Sequence, residues 1–125
     1  MPIEISRDDD ARRVIAVASG EFQADDFAKI LAQLRSSGTW TYGVLLDVRR
    51  MTGTPAIAEL RPIMNLTRTN ENQEGPRGPV AIVAGGSVIY GMACAYAAMS
   101  EPKGRVEVFP DRPEAERWLD ARQPR

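Results

Sequence analysis

The chain contains no histidine, a single cysteine (Cys94) and only two lysines, Lys29 and Lys103. Without histidine, the commonest general base near neutral pH and the commonest neutral metal ligand are both gone, so Ser-His-Asp and Cys-His mechanisms are excluded. A lone cysteine cannot close an intramolecular disulfide, which suits a reducing compartment, and with no histidine beside it the chain has no zinc ligand set. No metal or cofactor is expected. Long hydrophobic runs are also missing: none approaches the roughly 20 apolar residues of a membrane span, and residues 1–10 are charged with no apolar signal core. The expectation is a cytoplasmic protein without membrane insertion. An excess of positive charge is lacking too, since 16 basic side chains face 17 acidic ones for a formal net charge of -1. That balance supplies none of the broad positive field on which sequence-independent nucleic-acid binding depends.

What the chain does have is the composition of one globular domain spanning residues 1–125, at 43% hydrophobic and 26% charged residues. Short β-branched apolar runs at 14–18, 44–48, 80–84 and 106–109 are each followed by a stretch with helical spacing. This alternation predicts an α/β fold with a mixed, mainly parallel five-stranded sheet and about four helices, in the order β-β-α-β-α-β-α-β-α. The first strand is 3–6, joined through a polar turn carrying Asp8, Asp9 and Asp10 to a second at 13–19, and this hairpin makes the sheet mixed. Phe27, Ile30, Leu31 and Leu34 form the stripe of an amphipathic helix that ends near Gly38, with Asp25 and Asp26 complementing the dipole in its first turn. The nearly unbroken apolar run 43–48 implies burial on both faces and a central position.

Residues 49–54 read as a polar connection, with Thr54 as N-cap and Pro55 as first residue of the next helix. Ile57, Leu60 and Met64 give that helix its stripe, and Pro62 predicts either a kink or two short helices. Residues 69–79 lack periodicity and read as an exposed loop. After the strand 80–84, Ser87 is placed to cap a helix. Ile89, Met92, Tyr96 and Met99 lie on one stripe of it, and Gly91, Ala95 and Ala98 form a face of small residues. Asp111 with Glu114 is a capping-box variant opening a last helix anchored by Ala115, Trp118 and Leu119.

Candidate chemistry is sparse. Cys94, among alanines, reads as a buried small hydrophobe. Asp47 stands at the carboxyl end of the central strand, where open α/β sheets place ligands; with Arg49, Arg50 and Ser87 it would form an anion or small-ligand crevice, and the alternative is a salt bridge that organises a loop. Thr52 and Thr54 precede a helix N-terminus, a location that favours a phosphate, while the plainer role for Thr54 is capping. Tyr90, Met92 and Tyr96 serve either to pack the core or to line an apolar cavity or a partner surface.

Several segments taken together resemble the SpoIIAA-like fold of STAS domains and anti-sigma-factor antagonists, and in detail small uncharacterised bacterial proteins of the STAS/Sec14 type. They are Gly20 with the helix from Ala24, the segments 43–49 and 78–83, the pair at Tyr90 and Gly91 with Met92, and 106–109 with Ala115, Trp118 and Leu119. The resemblance implies a regulatory module acting through a protein partner, with Thr52 or Thr54 as the phosphorylated position, and the Sec14 kinship implies lipid binding. Together with the missing acid-base machinery, it leads to the expectation of a non-enzymatic protein-interaction domain, plausibly a homodimer sealed by the small-residue face and the edge near Tyr90. The competing expectation is a binder of a small ligand, anion or lipid at the strand ends.

Overall fold

The computed structural model describes residues 3–21, 23–100 and 104–123, apart from the side chain of Ser87. Five strands, β1 (Ile3–Asp8), β2 (Arg13–Glu21), β3 (Gly43–Thr52), β4 (Val80–Val83) and β5 (Val106–Phe109), alternate with α1 (Ala24–Ser36), α2 (Ile57–Glu74), α3 (Ser87–Met99) and α4 (Arg112–Arg122). They form one sheet in sequential order β1-β2-β3-β4-β5, which makes β3 the central strand. β1 runs antiparallel to β2, and every later pair is parallel.

Sequential parallel order decides where the helices lie. Each βαβ crossover is right-handed, and three crossovers stepping the same way across a sheet deposit α1, α2 and α3 on the same face. That face buries Val14, Ala16 and Ala18 of β2, Val44 and Val48 of β3, and Val80 and Ile82 of β4 against Ile30, Leu31 and Leu34 of α1, Leu60 and Ile63 of α2 and Ala93 of α3. α4 follows β5 and folds back onto the opposite face. There α4 seals a second, smaller core of Leu45, Ala81, Val83, Ala115 and Leu119, flanked by Ile15, Phe109 and Trp118.

The hairpin turn is held by polar groups. The Tyr42 hydroxyl donates to Asp9 at 2.6 Å, and the Arg7 and Arg12 guanidinium groups lie 5.7 and 5.8 Å from the centre of the Tyr42 ring. The hydrogen bond from Tyr42 and then that from Arg7 hold the Asp9 carboxyl below its ordinary range.

Several expected boundaries move. β3 continues through residues 49–52 instead of giving way to a polar connection, because β2 goes on pairing with it as far as Glu21. Val17 faces Asp47 whereas Ser19 faces Arg50, so β3 carries one extra residue at this point. Such a bulge flips the side-chain alternation and turns Met51 toward the three-helix face. α2 begins at Ile57 with Ala56, not Thr54, as N-cap; the Glu59 carboxylate accepts from the Ala56 N–H at 2.8 Å, and Pro55 is buried ahead of the helix. α2 runs through Pro62 as one helix, so the alternative of two short helices does not hold; the missing N–H removes a single backbone bond. Residues 69–74 are helical as well, because Arg35 of α1 donates to Asn70 at 3.0 Å and to Gln73 at 2.9 Å. Gly86, not Ser87, is the N-cap of α3. Asp111 caps α4 as its spacing predicts, accepting from the Glu114 N–H at 2.9 Å.

Candidate functional site

α2 is the middle helix of the three-helix face, in contact with α1 and α3 and joined to the strands through Leu60 and Ile63 of the common core. Its inward apolar stripe is short: Leu60 and Ile63 are followed on the buried side by Thr67 and Asn70. Between this helix and the sheet a cavity of about 110 Å³ remains. Phe27, Ile30, Leu31 and Leu34 of α1, Val44, Leu46, Val48 and Met51 of β3, Val80 and Ile82 of β4, Leu60 and Ile63 of α2, and Ile89, Met92, Ala93 and Tyr96 of α3 line it, with Pro55 and Arg77 from the connections. Arg77 is the one charged residue of the lining. The wall along β3 runs from Val44 to Met51, roughly 20 Å at the ordinary strand rise.

The stripe residues of α3 thus divide. Met92 and Tyr96 line the cavity and Tyr90 packs beside it against the core, all three half-buried. Gly91, Cys94 and Ala98 are exposed instead. The burial expected for Cys94 is therefore corrected: α3 is apolar on all sides, so composition could not show which side meets the sheet, and Cys94 falls on the outer one. A thiol reagent such as Ellman's is expected to titrate Cys94 fully in the native protein without denaturant; protection until unfolding would contradict this placement.

The strand-end residues lie on the other face of the sheet. Asp47 is buried, and its carboxylate accepts from Arg49 three times: from Nη2 at 2.8 Å, from Nε at 3.0 Å and from the backbone N–H at 3.0 Å. Desolvation pushes the Asp47 carboxyl up; the side-chain and backbone hydrogen bonds of Arg49 and the charges of Arg49 and Arg112 outweigh it, and the net effect holds the group below its ordinary value of 3.8. The same pairing, first through the hydrogen bond and then through charge, raises Arg49. Arg50 is exposed and takes no part in this pair, and the side chain of Ser87 lies outside the described residues. The structure therefore joins Asp47 to Arg49 in a bidentate ion pair that ties down the end of β3, with Arg50 outside it.

Because the folded carboxyl binds its proton less tightly than the unfolded one, this pair stabilises the fold above the unfolded pKa, and the contribution is lost as pH falls through the lower folded pKa. Asp47→Asn is expected to cost about 1–2 kcal/mol at pH 7, discounted because Arg49 is 43% exposed, and to cost less at pH 3. Urea titrations at pH 7 and pH 3 check this, and an equal loss at both would contradict it.

Thr52 and Thr54 are exposed, and they flank the cavity-lining residues Met51 and Pro55. Among the described residues no cluster of three or more cysteine and carboxylate side chains is arranged to hold a metal, and no helix is long and apolar enough to cross a membrane.

The arrangement of strands and helices matches that of an uncharacterised protein of the DUF3478 family from Shewanella loihica PV-4. The match has a TM-score of 0.64 over 94% of this chain and 92% of that one, at 19% sequence identity. This chain has a SpoIIAA-like fold. At that identity the likeness concerns architecture alone. No protein-family model matches the chain, and no curated protein is similar to it. Within the SpoIIAA-like frame the hairpin, the central strand and the bulge are what position the cavity. Sequence reasoning found Met92 and Tyr96 as possible cavity residues but missed Arg77 and Met51. Arg77 sits in an aperiodic segment, and Met51 reaches the cavity only through the bulge.

Proposed function

We propose that this SpoIIAA-like domain is a non-enzymatic binding module that holds a small apolar molecule between its sheet and α1–α3. The observation that carries the reading is the pocket itself, walled by aliphatic and aromatic side chains from five elements. Apolar side chains gathered in one concave site gain by leaving water when an apolar guest fills it. The lining also supports binding over turnover, for it presents a guanidinium and the Tyr96 ring but no carboxylate or cysteine to move a proton or attack a bond. The ion pair of Asp47 and Arg49 is separated from this space by the sheet.

A linear alcohol tests the reading. A ligand that binds only the folded state stabilises it by RT ln(1 + [L]/Kd), about 2.7 kcal/mol at a hundredfold excess over Kd. Thermal unfolding in rising 1-decanol is expected to show a midpoint that climbs by several degrees. A midpoint that stays fixed or falls up to the solubility limit would contradict the reading.

A regulatory role is supported by the position of the two threonines. A phosphoryl group on Thr52 or Thr54 would bring roughly two negative charges beside Met51 and Pro55, at the edge of an apolar space, and would disfavour an apolar guest there. Intact-mass measurement of the protein from its native host is expected to show a phosphorylated fraction, and its absence under all growth conditions would remove this role.

A further inference from the structure

We infer that the guest of this cavity is an amphipathic anion, a linear aliphatic monocarboxylate whose carboxylate is held by Arg77 and whose chain lies along β3 toward Met51. The inference rests on the apolar-cavity reading above and adds the chemical class of its ligand. Arg77 lines the cavity, and its Nε is buried with no hydrogen-bond partner. A buried donor of a charged group is almost always paired, and one left unpaired at the wall of an empty apolar space is the signature of a partner that comes from outside the chain.

The backbone that carries Arg77 is tied down on both sides. The Trp40 indole N–H donates to the Gly75 carbonyl at 2.7 Å, and the Gly78 N–H donates to the Trp40 carbonyl at 3.3 Å, so the connection is clamped on both sides of Arg77. The Arg77 N–H donates to the Glu71 carboxylate at 3.1 Å, and its carbonyl accepts from the Arg105 guanidinium. Glu71 is thereby engaged by the Arg77 backbone and lies 4.0 Å from Arg105 Nη1. That carboxylate is spent on neighbours other than the Arg77 side chain.

The position of Arg77 fixes the ligand's orientation. It precedes β4 by three residues, and Val80 pairs with Val44, so Arg77 stands at the amino end of the parallel strands. Met51 and Pro55 close the other end, where the lining is wholly apolar. One charged group at one end of an otherwise apolar pocket fits a head and a tail. A guanidinium edge offers parallel N–H donors spaced for the two oxygens of a carboxylate, which favours that head over a neutral hydroxyl.

The test compares 1-decanol, decanoic acid and decyl phosphate at pH 7, where a carboxyl is ionised, by titration calorimetry on the native chain. Decanoate is expected to bind tenfold or more tighter than the alcohol and at least as tightly as decyl phosphate. Arg77→Met should abolish the preference for decanoate while leaving the affinity for the alcohol within a factor of about two; its backbone bonds are untouched, so folding is expected to survive. Arg77→Lys, which keeps the charge and loses the fork, should retain only part of the preference, and the comparison on the native chain stands without any variant. Equal binding of acid and alcohol, or a preference that survives Arg77→Met, would overturn the carboxylate assignment and leave the cavity reading intact. Tighter binding of decyl phosphate would overturn the carboxylate as the head group. Binding of none of the three would overturn both.

Discussion

Leu119→Ala is expected to lower the unfolding free energy by about 3 kcal/mol or more, the largest loss from any single truncation on the α4 face. Leu119 is fully buried, as are Leu45, Ala81, Val83 and Ala115 around it. Removing a buried leucine side chain costs the lost transfer free energy plus a term for the cavity left behind, together about 2–5 kcal/mol. The upper part of that range applies where neighbours cannot collapse into the gap. Leu45, Ala81 and Val83 are fixed on paired strands, and among the described residues α4 is the only helix over them. Urea denaturation with an unchanged m-value checks the figure, and a loss below 1 kcal/mol would mean that α4 contributes little to holding the sheet. Trp118→Ala should cost less despite its larger side chain, because Trp118 is only half-buried and part of its contact is with Phe109, 5.7 Å between ring centres, and with the Arg122 guanidinium at 5.0 Å.

The second large effect concerns binding. Ala93→Leu is expected to lower the affinity for 1-decanol at least tenfold while leaving stability within about 1 kcal/mol of the parent. Ala93 is buried on α3 and its methyl group forms part of the cavity wall. Leucine at this position would project into the cavity and occupy space that the guest needs. Three added carbons buried there contribute about 0.8 kcal/mol each, while strain from overfilling costs roughly 1–3 kcal/mol, so the two nearly cancel. The diagnostic result is this separation, with binding lost and folding kept. A variant that loses several kcal/mol of stability would show the region to be close-packed already, and one that binds as before would place the guest elsewhere.

Much of this architecture is legible in the sequence. The β-branched runs give the strands, the unbroken apolar run at 43–48 gives the central one, and Asp111 with Glu114 gives the start of α4. The resemblance carried by 43–49, 78–83 and the closing strand leads to the SpoIIAA-like fold that the structural match shows. What stays hidden has physical reasons. Periodicity says that Leu60, Met92 and Tyr96 point inward, but it also sets Ile57 on the α2 stripe, and Ile57 is exposed while Ile63 is buried in its place. It does not record that these side chains leave a pocket between them. The polar second half of α2 is helical because Arg35 bonds Asn70 and Gln73 across 35 and 38 residues of sequence, and no local pattern records that. Cys94 and Tyr96 differ by two positions on a helix apolar all round, and only the packing distinguishes the outer from the inner. Asp47 and Arg49 were visible as a polar pair at a strand end, and the structure resolves that pair into an ion pair facing α4, with the cavity on the opposite side of the sheet.

The isoleucines offer the most direct test of the central claim, because they sample every face. Ile30, Ile63, Ile82 and Ile89 line the cavity, Ile15 packs on the α4 side, Ile3 and Ile5 belong to β1, and Ile57 is exposed. In a methyl NMR titration of isoleucine-labelled protein with 1-decanol, the account predicts saturable shifts confined to Ile30, Ile63, Ile82 and Ile89. Shifts centred on Ile15 or Ile57, or no saturable shift at any isoleucine, would contradict it.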